Sequence, residues 1–394
     1  MAVKILWLSD CPLLATGFGR VTRELTIRLA KHPDLEIVCL GVGFDGWPYD
    51  QALYPIKVYP SLASTYGEDH FERVVNEFRP DVVITLGEMW MFQWMSTHPV
   101  RGQFRWIAYV PIDGAPLYEP WVPLIQGIDE VVTMSDFGRS VIQAGVPSKR
   151  IHRIYHGVDT ETFRPLPDRE RLRDHDRCRG KFVVGCVARN QPRKNIPALV
   201  KAFAQLNELH SDTYLYLHMS PCDIGYDLVT LLRRYRLQDR ADVSTPELSL
   251  SCALNDSDLN RLYNFFDVTV LASNGEGFGL PIIESMAAGV PVVATDYSAC
   301  SELVRGRGEL ARILGTQTLG NNLIEHAIVD VDDLARCIER LYLNPTLLET
   351  YGKAGREYAC NLAWEKLIPQ WLEVISLATG FNLSLSHGPE SRPG

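Results

Sequence analysis

The chain has 394 residues, 46% of them hydrophobic and 22% charged, with a formal net charge of -9 at pH 7. That length suits two domains of ordinary size, each with enough apolar residues for its own core. The mild acidity argues against a protein held on nucleic acid by bulk charge, although a local basic cleft would be hidden in the sum.

The first ten residues are apolar but lack a basic leader and a small-residue cleavage site, so they read as a buried strand rather than a signal peptide. The strand within them is Lys4–Ser9, and further short apolar runs at 36–42, 56–59, 81–87, 104–111, 130–135 and 151–156 read as strands. Amphipathic segments lie between several of them. Over 18–32, Phe18, Val21, Leu25 and Leu29 share one face, with Arg20, Arg23, Arg28 and Lys31 elsewhere. A polar, Arg- and Asp-rich stretch at 166–180 is the best linker, and separates a first domain at 1–165 from a second at 181–362. There the rhythm restarts, with strands expected at 182–188, 213–219, 268–272 and 291–295. Alternating strands and helices predict α/β architecture: two Rossmann-like, doubly wound domains whose strand ends face one cleft. The tail at 384–394 is polar and expected to fray. No run approaches the ~20 apolar residues of a membrane helix.

Nine cysteines (Cys11, Cys39, Cys178, Cys186, Cys222, Cys252, Cys300, Cys337 and Cys360) are scattered, odd in number and never spaced CxxC. That usage points to free thiols and a reducing, cytoplasmic compartment, with peripheral membrane contact left open.

The most informative segment is Asn274-Gly275-Glu276-Gly277-Phe278-Gly279-Leu280-Pro281-Ile282-Ile283-Glu284, between an apolar run and a helix-forming stretch. Its glycines uncover backbone N–H groups and Pro281 suits a first helical turn, so the loop forms an amide-lined helix N-terminus fit for a diphosphate. Glu276 and Glu284, eight residues apart, can grip hydroxyls on different parts of one extended ligand. Read on the turn alone, two surface glutamates on an ordinary glycine-rich turn explain it as well. Arg189-Asn190-Gln191-Pro192-Arg193-Lys194 follows the strand at 182–188 and supplies cations that can offset charge on a departing diphosphate. The loop ending Thr16-Gly17-Phe18-Gly19-Arg20 opens the first helix, although G-x-G by itself also fits a tight turn.

Together, Glu276–Glu284, the following Ser285-Met286-Ala287-Ala288-Gly289-Val290-Pro291 and the Arg189/Lys194 spacing resemble the donor site of the retaining GT-B glycosyltransferases of family 4, the glycosyl transferases group 1. That family includes sucrose-phosphate and mannosyl transferases. The resemblance implies that Glu276 lies by the transferred sugar and Glu284 binds the nucleotide ribose. It also puts Arg189 and Lys194 on the diphosphate, with Arg193 a neighbour that could substitute for either, and backbone groups around Gly277, Phe278, Gly279, Leu280, Gly17 and Gly19 against sugar and phosphate. Ala363-Trp364-Glu365-Lys366 is similar to the family's break before a final helix, here 366–378, that crosses back onto the first domain. His156 stands where many relatives carry asparagine and is read as shaping an interdomain turn. Glu302 aligns with a common glutamate of no assigned role.

One departure stands out. Many relatives have a histidine at the end of the fifth strand, where this chain has Pro111-Ile112-Asp113. A Pro-x-Asp subgroup in bacteria and some phages is most similar, and Asp113 either orients a hydroxyl or caps the next segment. Glu88 is a weaker cleft candidate, and Trp90, Phe92 and Trp94 beside it either wall the acceptor or pack. Three D-x-D matches, Asp174-His175-Asp176, Asp256-Ser257-Asp258 and Asp330-Val331-Asp332, lie in a linker or before helices, so no metal site is expected.

The expected activity is metal-independent, retaining transfer from a nucleotide sugar, with UDP- or GDP-sugars as the foremost donors and no cofactor. The acceptor hydroxyl is open: glycan, lipid, small molecule or modified DNA. Rival readings on the same fold are a sugar-nucleotide epimerase and a non-catalytic sugar-nucleotide-binding protein. Candidate base contacts lie at 219–225 and 243–248.

Overall fold

A computed structural model describes residues 2–167, 169–173, 177–221, 223–244 and 254–383. Asp174-His175-Asp176, Cys222, Cys252, 245–248 and the tail at 384–394 lie outside the described residues.

The first sheet holds seven strands: β1 (Val3–Asp10), β2 (Leu35–Val42), β3 (Val58–Ser61), β4 (Val82–Leu86), β5 (Arg105–Val110), β6 (Glu130–Thr133) and β7 (Ile151–Arg153). The second holds six: β8 (Phe182–Val187), β9 (Thr213–His218), β10 (Ala241–Val243), β11 (Val268–Leu271), β12 (Val292–Thr295) and β13 (Glu309–Ala311). Their orders are β3-β2-β1-β4-β5-β6-β7 and β10-β9-β8-β11-β12-β13. Every pairing in both sheets is parallel. In each, the winding reverses beside the first strand, between β1 and β4 and between β8 and β11, and such switch points open a crevice at the carboxyl ends.

Continuous burial makes these sheets. All five residues of β4 and all four of β11 are buried, as a strand covered on both faces requires. Val21, Leu25 and Leu29 of the helix Gly17–Leu29 are buried beneath the first sheet, while Arg20 and Arg23 stay near the cleft.

An antiparallel hairpin, β14 (Ile313–Thr318) and β15 (Glu325–Val329), leaves the second domain after β13. It reaches the first. Ile324 joins that domain's apolar core, and the Ala115 and Glu325 amides each donate to the other residue's carbonyl, at 3.3 and 3.0 Å. The helix Trp364–Thr379 returns to the first domain, where Trp371 packs on Trp7 and Tyr109 with ring centroids 5.7 and 4.9 Å apart.

Among the described residues of 166–180, Arg169 and Arg173 dock onto the second domain, donating to the carbonyls of Asn264, Phe265 and Phe266. The described cysteines are all free thiols. Among the described residues, no helix is long and apolar enough to cross a membrane.

Candidate active site

Both switch points open onto the same cleft. The loop after β1 meets the loop after β11 there: a Cβ on Gly17 would lie 3.7 Å from Leu280. Thr16 accepts from the Gly19 amide and starts the helix Gly17–Leu29, and its hydroxyl donates to Asp10 at 2.6 Å. On the other side Gly279, in the left-handed region at φ 105°, turns the chain into the helix Leu280–Ala287. The amides of Gly277, Phe278, Gly279 and Leu280 find no acceptor among the described residues. Two helix N-termini with uncovered N–H groups therefore open on one space, the arrangement that favours an anion.

Glu276 lies at the centre, 4% exposed. Lys194 donates to its Oε1 at 2.5 Å and Ser273 at 2.6 Å, and Arg193 donates to Oε2 at 3.0 Å. Burial by itself would raise its pKa; the charges of Lys194 and then Arg193 outweigh that and bring it to about 2. The residue is an ionised carboxylate clamped by two cations.

Glu284 is also buried, at 3% exposure, and sits in a separate cluster. Tyr263 donates to its Oε2 at 2.8 Å, and Arg20, from the first domain, bonds its Oε1. Arg20 also pairs with Asp256 at 3.1 Å, so the ribose candidate already bridges the domains through an arginine.

Arg189 is not part of the Glu276 cluster. Its guanidinium is half-exposed and forks onto Asp223 at 3.0 and 3.1 Å, with Asp10 the facing charge from the first domain. Arg193 takes the inner position instead.

Asp113 points to the second domain, with one oxygen 3.3 Å from Arg193 Nε and the other 3.3 Å from His326 Nε2. Burial would raise its pKa, but the His326 bond and the Arg193 charge hold it low. Glu88, two residues past β4, is pushed up by burial and then by Asp113, with Arg193 opposing. The domains touch closely here: a Cβ on Gly275 would fall 2.0 Å from the Asp113 carbonyl oxygen, and one on Gly277 2.5 Å from Pro111 Cβ.

The remaining candidates divide by packing. Phe92 is buried, and Trp94 packs on Phe71; Trp90 is 47% exposed, edge-on to Tyr66. His156 is a neutral imidazole, its pKa brought down to about 3 by burial, bonded to the Tyr109 hydroxyl at 2.7 Å and packed on Phe278. Glu302 caps a helix of the other domain: the Asp136 amide donates to its carboxylate at 3.0 Å and the Phe137 amide at 3.2 Å. Asp256 and Asp258 lie in the first turn of Asp256–Phe265, and Asp330 caps Val331–Leu343. Among the described residues no cluster of metal-ligating side chains forms.

Three site residues escaped sequence reasoning. Ser273 adjoins the donor loop, and its hydroxyl was a usable signal. His326 and Tyr263 are distant in sequence, and nothing local marks them.

The family model described as Glycosyl transferases group 1 matches residues 168–358. The matched half is a glycosyl transferases group 1 domain. Glu276, Glu284, Arg189 and Lys194 all belong to this group 1 domain, and Asp113, Arg20 and the Gly17 loop come from the other half. The MMP alpha-(1->4)-mannosyltransferase of Mycolicibacterium hassiacum is 27% identical over 276 residues, covering 67% of this chain and 59% of that protein. The mannosylfructose-phosphate synthase of Agrobacterium fabrum is 29% identical over 234 residues, covering 59% and 48%. The chain thus spans about half the length of the curated relatives it matches. Among solved structures, sucrose-phosphate synthase from Thermosynechococcus elongatus superposes with a TM-score of 0.72 at 18% identity, covering 95% of this chain and 98% of that one. Anabaena HepE, solved with UDP-glucose, gives 0.71 at 18% identity, covering 95% and 99%. The group 1 domain and its partner make a GT-B fold.

Proposed function

We propose that this chain is a glycosyltransferase that moves a sugar, with retention and without a metal, from a nucleoside diphosphate sugar to an acceptor hydroxyl. One observation carries the reading: a buried, ionised Glu276 between Lys194 and Arg193, beside four uncovered amides at a helix N-terminus.

Glycosyl transfer develops positive charge at the anomeric carbon and negative charge on the leaving oxygen. Lys194, Arg189 and the amides of Gly277–Leu280 offset the charge on the departing diphosphate, the task a metal ion performs elsewhere. Glu276 accepts from sugar hydroxyls and sets the ring against the diphosphate. Glu284 takes the ribose hydroxyls, sharing them with Tyr263 and Arg20. The acceptor hydroxyl attacks from the face the diphosphate leaves and gives its proton to a diphosphate oxygen. Positioning and water exclusion by the closed domains supply the rest. Asp113 supports placing the chain in the Pro-x-Asp subgroup and orients a sugar or acceptor hydroxyl. UDP and GDP are the first bases to test, and free thiols support a cytoplasmic site of action.

The test is a thermal-shift screen against UDP-, GDP-, ADP- and dTDP-sugars with EDTA present, then NMR of the product formed with glycan, lipid, small-molecule and modified-DNA acceptors. Stabilisation by a nucleotide sugar, and an anomeric configuration equal to the donor's, are expected. Inversion overturns the mechanism; donor isomerisation without acceptor identifies an epimerase; binding without turnover identifies a sugar-nucleotide-binding protein.

A further inference from the structure

Among the described residues, Arg193 is the one cation whose guanidinium spans both domains at the sugar end of the cleft. NH1 donates to the Gly275 carbonyl and, at 3.0 Å, to Glu276 Oε2, while Nε lies 3.3 Å from Asp113 Oδ2. Its own backbone is tied to the same loop, because the Asn274 amide donates to the Arg193 carbonyl at 2.9 Å. The residue is therefore tied to the donor loop through NH1 and through its backbone, while its Nε meets Asp113 of the other domain, with the Glu88 carboxyl of that domain also facing it.

Lys194 cannot serve Glu276 and a diphosphate equally. A ligand bearing two or more negative charges competes for the ammonium, and a buried carboxylate that loses a counter-charge is driven towards protonation. Arg193 is the partner that remains. Its planar fork holds two carboxylates at a fixed angle, which a lysine, as a single point charge, does not do.

We propose that Arg193 is a positioning residue that couples closure of the domains to the orientation of Glu276. Asp113 completes the fork when the cleft shuts, and the completed fork keeps Glu276 ionised and aimed while Lys194 turns to the diphosphate. This rests on the transferase reading above, and one arm of its test does not.

Arg193→Ala and Arg193→Lys are compared with wild type using the donor found by thermal shift, with circular dichroism as the folding control. Arg193→Ala is expected to lower kcat by about 100-fold or more, with donor KM moving less than about threefold. Arg193→Lys recovers less than about a tenth of the loss, and added guanidinium ion partly restores the alanine variant, which a merely structural role does not produce. Without ligand, hydrogen exchange at the Ala115 and Glu325 amides, which bond across the interface, speeds up in both variants. A near-wild-type kcat in either variant overturns the proposal, and so does unchanged exchange at those amides. If wild type binds and turns over no nucleotide sugar, the transferase reading fails, and the exchange arm still decides whether Arg193 holds the domains together.

Discussion

Glu276 keeps its charge where burial alone would remove it, because two cations and a serine hydroxyl crowd its carboxylate. Lys194→Ala leaves Arg193 in place, so the loop stays neutralised while the diphosphate loses a counter-charge. We expect kcat/KM to fall about 100- to 1,000-fold with an unchanged circular dichroism spectrum, and Glu276→Gln to do the same. Initial rates of nucleotide release check this, and full activity in both variants removes the site assignment. Glu302 gives a pH signature. Its pKa is raised from the usual 4.5 to about 7, by burial first and then by Asp136, against the helix amides it caps. Folded chain thus holds a proton that unfolded chain has released between those values, so Glu302's contribution to stability falls as pH rises from 4.5 to 7. Denaturant titrations across that range should show a shallower decline in Glu302→Gln; identical slopes contradict the assignment. Of these side chains, Glu276, Glu284 and Lys194 were legible in sequence, since loop glycines and motif spacing are local. Arg193's inner position was not: which of two cations turns inward depends on Asp113 arriving from residues far up the chain.

The long buried strands were read within a residue or two, because doubly covered parallel strands are unbroken apolar runs. Lys4–Ser9 became Val3–Asp10 and the run at 268–272 became Val268–Leu271. Three-residue strands such as β10 and β13 carry too few residues for a period, and β14 escaped because it is mostly exposed and polar. That hairpin supplies His326 and Ile324, so missing it hid one wall of the cleft. The donor loop makes its own prediction. Gly277 has no left-handed backbone, and the nearest obstacle to a methyl group there is Pro111 of the other domain, 2.5 Å away. Gly277→Ala should therefore leave each domain folded while wedging the cleft. A larger radius of gyration by small-angle scattering, with an unchanged melting temperature within about 2 °C, is expected; an unaltered radius excludes the wedge.

At the scale of the whole molecule, the two halves are bound by polar and apolar ties on both flanks of the cleft. Arg20 and Arg23 meet Glu284 and Asp256 on one flank, and Glu302 and the hairpin clasp the first domain on the other. Behind the cleft, Trp364, Leu367, Trp371, Leu372 and Ile375 of the helix Trp364–Thr379 are buried. Ending the chain at Leu362 would strip Trp7 and Tyr109 of their cover, and losing two buried tryptophans costs about 3–5 kcal/mol each. Calorimetry should then show the first domain melting ahead of the second; a single transition at the wild-type temperature would mean the returning helix contributes little.

That return also sets an order of events during synthesis. Strands β1 to β7 leave the ribosome well before Trp371, so the earliest sheet waits with an oily flank open until the whole of the second lobe has been made. The second lobe needs no such late delivery and can settle first, inverting the usual N-to-C sequence of maturation.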